Sequence, residues 1–118
     1  MSAVSELAAT LAAAIGIGVA PAICYPEATN CATATGTILY VERVDPDGDG
    51  DAHFVLAGGH VTAPGISVID VERELRPEQL PGPGDLVGAA GPVYAGAFGQ
   101  RQIEATTLRV ARVGRAVR

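Results

Sequence analysis

The chain has 118 residues, a formal net charge of −5, eight arginines and no lysine, two cysteines, two histidines and no tryptophan. That length holds one small domain. The acidic balance excludes a general binder of polyanions.

Residues Leu7–Pro26 carry no charge and are mostly Ala, Leu, Ile, Val and Gly. A membrane span needs about 20 strongly apolar residues, and this run is long enough but diluted by Ala, Gly and Thr. A secretory signal needs a shorter apolar core and a small-x-small cleavage site. Leu7–Val19 supplies the core and Ala20-Pro21-Ala22 the site, although Glu6 stands where a basic residue is usual. Residues 1–22 are therefore expected to be a signal peptide or a membrane anchor, in preference to a buried N-terminal helix. Membrane contact is expected only if residues 7–22 are retained. Cys24 and Cys31 follow, and an exported domain with two cysteines most simply joins them. Two unpaired buried thiols are the alternative. Residues 23–34 then form a disulfide-tethered linker.

From residue 35 onward strand signals dominate. Thr35–Val44 is rich in Thr, Ile, Val and Tyr and reads as a long first strand. Asp45-Pro46-Asp47-Gly48-Asp49-Gly50-Asp51 follows as an acidic hairpin tip. His53–Ala57 returns as a second strand, with Phe54 and Leu56 on one face and His53 and Val55 on the other. Gly65–Glu72 is a third strand, Arg73–Gln79 holds at most a helical turn, and Pro81–Asp85 is a turn. Leu86–Ala90 is a fourth strand, Gly96–Gly99 a loop and Gln102–Val113 a fifth strand, with Ile103, Ala105 and Leu108 directed to the core. Tyr40 and Phe54 are expected in that core, with Tyr94 and Phe98 covering one end. The fold class is all-β: a small five-stranded OB-like barrel over residues 35–113, since a closed barrel leaves few exposed edges. Residues 114–118 form an Arg-containing tail.

The order of short motifs adds to this reading. Thr35-Gly36-Thr37-Ile38 leading to Val41, then Asp49–His53, resembles a signature of small exported bacterial OB-fold-like proteins, actinobacterial in type, whose role is unassigned. Pro83-Gly84-Asp85-Leu86-Val87, Gly91-Pro92-Val93 and Gln102-Ile103-Glu104 continue the resemblance, which covers roughly residues 31–113. Members usually carry a Trp and a His near the final Glu, whereas this chain has Arg101 and Ala105 there. The resemblance implies an OB-like barrel in a protein secreted or held at the cell envelope.

Three kinds of chemistry fit the residues. Asp45, Asp47, Asp49 and Asp51 offer hard oxygen ligands in a spacing that matches part of a calcium loop. Position 12 of such a loop is Leu56 rather than a bidentate Glu, so an EF-hand is excluded and a looser Ca²⁺ cage remains. His53 pairs with Glu104 if their strands adjoin, giving a polar contact or, with Asp51, an acid–base site. No Ser- or Cys-centred motif marks a nucleophile, and no catalytic or cofactor-binding residue is assigned. Single-stranded nucleic acid would need Tyr40, Tyr94 and Phe98 to stack and Arg101 and Arg109 to meet phosphates, against the acidic balance. The leading expectation is an exported, non-catalytic module that binds a small molecule or a protein on the face bearing loops 58–65 and 95–100.

Overall fold

A computed structural model describes residues 18–42, 50–96 and 99–113. Six strands form one sheet: β1 (Cys31–Glu42), β2 (Ala52–Ala57), β3 (Ile66–Val71), β4 (Leu86–Ala95), β5 (Arg101–Glu104) and β6 (Thr107–Ala111), with a 3₁₀ turn at Arg73–Leu75. Pairings run β1–β2–β3–β5–β4 and return from β4 to β1, so five strands form a ring. β3 and β5 are parallel and every other pair is antiparallel. The all-β expectation therefore holds. The apolar N-terminal segment lies outside the described residues as far as Ile17.

Cys24 and Cys31 form a disulfide with Cα atoms 6.1 Å apart. Cys31 is already the first residue of β1, four residues earlier than expected. Asn30, in the left-handed region at φ 55°, extends the β1–β4 ladder: its side-chain amide donates to the Val93 carbonyl at 2.7 Å and its carbonyl accepts from Val93 N–H at 3.0 Å. The tether thus fixes the start of the sheet.

β1 serves two partners. Cys31–Thr37 pairs with β4 and Thr37–Glu42 with β2. Strict alternation sends Ala34, Gly36 and Ile38 inward, and continued alternation would send Tyr40 and Glu42 inward as well. It does not continue. The register slips between Ile38 and Tyr40, where Leu39 is the extra residue of a bulge. One added residue moves every later side chain to the opposite face. Tyr40 consequently lies outside at 54% exposure, correcting its expected place in the core, while Val41 turns in and Glu42 turns out.

The interior is filled by Ile38, Phe54, Leu56, Ile69, Val71, Val87, Ala89, Val93 and Ile103 with small alanines between them. β4 is buried on both faces from Leu86 to Gly91, which explains its unbroken apolar run. Ala20 and Ala22 cover its outer side: a Cβ on Gly88 would stand 3.0 Å from the Ala20 carbonyl oxygen.

The expected fifth strand divides into β5 and β6 at Ala105-Thr106. Ala105 N–H donates to Asp70 of β3 at 3.0 Å, whereas Thr106 N–H donates to Ala90 of β4 at 2.8 Å. The chain changes neighbours between consecutive residues, and no straight strand does that. β4 crosses this corner closely enough that a Cβ on Gly91 would lie 2.0 Å from the Glu104 carbonyl oxygen.

Ring closure between β3 and β5 rests on two register pairs, Ile69 with Ile103 and Asp70 with Glu104. Thr62 extends it: its hydroxyl accepts from Val68 N–H at 2.9 Å and donates to the Arg101 carbonyl.

Deleting Leu39 should therefore change stability by less than about 2 kcal/mol in urea unfolding, because Ile38, Tyr40, Val41 and Glu42 then alternate without a bulge and Glu42 stays outside. Leu39→Ala, which keeps the residue count, should cost less than about 1 kcal/mol. Thr62→Val should cost about 1–2 kcal/mol by the same assay and Thr62→Ser much less, since only the hydroxyl bridges the two strands.

Candidate functional site

The bulge and the ladder registers assemble one row on the outer face. Glu42 of β1 stands opposite His53 of β2, His53 opposite Asp70 of β3, and Asp70 opposite Glu104 of β5. Four ionisable residues thus line up across four adjacent strands. His53 Nδ1 lies 3.5 Å from Glu42 Oε1, and Nε2 lies 3.4 Å from Asp70 Oδ1. An imidazole has an N–H on both nitrogens only when protonated. The contact with Asp70 raises the His53 pKa above its ordinary 6.5, partial burial opposes the rise, and Glu42 adds to it. Asp70 Oδ1 is buried and accepts no hydrogen bond in the described structure, so its contact with His53 is electrostatic.

His53 and Glu104 share this row without touching as partners. β2 and β5 are not neighbours, and Asp70 stands between them. Asp70 and Glu42 were not singled out from sequence. The outward parity of Asp70 follows from the unbroken alternation of β3, and that of Glu42 only once the bulge in β1 is known.

A second row runs beside the first. Tyr40, Val55 and Val68 face one another across β1, β2 and β3. Leu39 and Tyr40 are 51% and 54% exposed, so this face presents apolar surface next to carboxylates. Loop 58–65 is tied through Thr62 to Arg101, the first residue of β5. Loop 58–65 is held by its own polar side chains. His60 Nδ1 accepts from Gly65 N–H at 2.8 Å, and the buried Ser67 hydroxyl donates to the Gly58 carbonyl at 2.8 Å.

Beyond Glu104 the surface dips into a groove of about 310 Å³, lined by Glu72, Glu74, Leu75, Glu104, Ala105 and Thr106. The Glu72 carboxyl is shifted upward by what desolvation it has, then by the charges of Glu104, Glu74 and Asp70.

Of the acidic hairpin, Asp45, Asp47 and Asp49 lie outside the described residues, as does Phe98; Asp51 is described and partly exposed. Among the described residues no group of three or more His, Cys, Asp or Glu is placed to hold a metal, and no helix is long and apolar enough to cross a membrane. Asp85, from the Pro-Gly-Asp motif, is buried. Its carboxylate accepts from Gly82 N–H at 2.9 Å and Val113 N–H at 3.0 Å, tying the turn to the chain end. Tyr94 projects from β4 opposite Gln102, about half exposed.

No known protein family matches this chain, and a search of characterised proteins finds no significant match.

A raised pKa means that the folded state binds the His53 proton more tightly than the unfolded chain does. The stabilisation is complete below about pH 6.5 and is lost as pH rises through the folded value. His53→Gln should lower stability more at pH 6 than at pH 8, by on the order of 0.5–1 kcal/mol, the scale of a partly solvated ion pair. Melts of both proteins across that range check this; an equal or larger loss at pH 8 would contradict the ion-pair assignment.

Proposed function

We propose that this protein is an exported, non-catalytic binding module on an OB-like barrel, and that it docks an extended protein segment on the outer face of β1, β2 and β3. The observation that carries this reading is the outer-face row of exposed Tyr40 with half-buried Val55 and Val68, set beside the ionic row of Glu42, His53 and Asp70. Scattered exposed apolar side chains are ordinary, but an apolar row set beside ordered carboxylates suits a segment carrying apolar and basic residues. The same carboxylates repel phosphate, which disfavours nucleic acid on this face. The five-strand pairing ring supports the barrel, with β3 and β5 parallel inside it. The disulfide suits an oxidising compartment, and the short motifs that resemble exported bacterial proteins point the same way.

The chain contains no tryptophan, so Tyr40→Trp gives a fluorophore on this face alone. Titration with octapeptides alternating Arg and Leu should shift its emission saturably at micromolar to millimolar concentrations, the range of modest interfaces. An acidic counterpart and a thymidine oligonucleotide should leave it unchanged. Oligonucleotide binding as tight as the basic peptide's, or no response to any probe, would sink the reading.

A further inference from the structure

His53 stands against two carboxylates at once, with Nδ1 3.5 Å from Glu42 and Nε2 3.4 Å from Asp70. Among the described residues these are the ion pairs that Glu42 and Asp70 make. The other titratable groups around His53 are acidic as well. Glu104 of β5 faces Asp70 from the far side, and Asp51 precedes His53 by two residues.

The two carboxylates that touch His53 are not equivalent. The Asp70 side chain is 15% exposed and its Oδ1 is buried, whereas the Glu42 side chain is 47% exposed and lies two residues from exposed Tyr40. A protonated imidazole turns an N–H to each of them, and a neutral one keeps a single N–H. That proton stays on Nε2, because a buried carboxylate loses more than an exposed one when no donor faces it. Nδ1 then turns a lone pair toward Glu42, and a different cation can take the place of the imidazolium there.

We infer, on the docking reading given above, that Glu42 receives a basic side chain of the docked segment and that the proton on His53 competes with that side chain. The sign follows from charge. With His53 protonated, one of the three carboxylate charges of the row is cancelled; with His53 neutral, all three act on the ligand. The face therefore holds basic segments more tightly as pH rises through the titration of His53, which Asp70 and Glu42 move above its ordinary value of 6.5. By linkage, a bound basic segment weakens the hold of His53 on its proton by the same factor.

The full, oxidised Tyr40→Trp chain, titrated with the Arg and Leu octapeptide at pH 6 and pH 8 in one buffer salt, tests this. The peptide is acetylated and amidated, so no end group titrates. Affinity should be roughly threefold to fivefold tighter at pH 8, the scale of one partly solvated charge contact. Glu42→Gln in that background should weaken binding at pH 8 and flatten the pH response, whereas His53→Gln should tighten binding at pH 6 and flatten it. The imidazole proton resonance of His53 should titrate at lower pH with the peptide present than without it. Equal affinity at pH 6 and pH 8, or a pH response that survives either substitution, would overturn the competition and leave the docking reading standing. No binding at either pH would remove both.

Discussion

The extra residue in β1 is the constraint from which the rest of the architecture follows. β1 must place Ala34 and Ile38 in the core where it runs with β4, then keep apolar residues inward where it runs with β2. Unbroken alternation would bury Tyr40 and Glu42. A carboxylate there would lose its hydration with no partner to replace it. The bulge at Leu39 resets the parity, brings Val41 in, and sends Tyr40 and Glu42 out. Bulges also bend a strand and increase its local twist, which helps one strand reach partners on both edges of a closing ring.

Closure depends on tight backbone approaches as much as on apolar burial. Gly36 and Gly91 sit where any side chain would collide with a carbonyl of a neighbouring segment, at Ala57 and at Glu104 respectively. The parallel contact of β3 with β5 is short, and Thr62 and Ala105 satisfy polar groups just outside it. Buried or half-buried backbone groups left unpaired there would oppose the closed form. Asp85 plays a similar part at the other end, holding the proline-rich turn to Val113.

The row of ionisable residues follows from the same registers. His53 lies between two carboxylates because β2 lies between β1 and β3, and Glu104 joins the row because β5 pairs with β3 rather than β2. The outer surface then divides by chemistry. The β1–β3 face offers apolar contact beside charge, and β5 leads at Glu104 into a carboxylate groove.

Much of this was legible in the residues alone. Alternation placed Phe54 and Leu56 inside and His53 outside, glycine and proline marked the turns, and two cysteines in an export-like context implied the disulfide that forms. Those features are local: they depend on a period of two, on allowed backbone angles, or on a short chain separation. Other features were decided only by tertiary structure. The position of Tyr40, the split of the last strand at Ala105 and the Glu42–His53–Asp70 contacts each depend on which strands become neighbours and in what register. A bulge has no strong signature in a run such as Ile38-Leu39-Tyr40-Val41, where every residue suits a strand. Only the demand that one sheet close on one core selects the residue that is left out of the ladder.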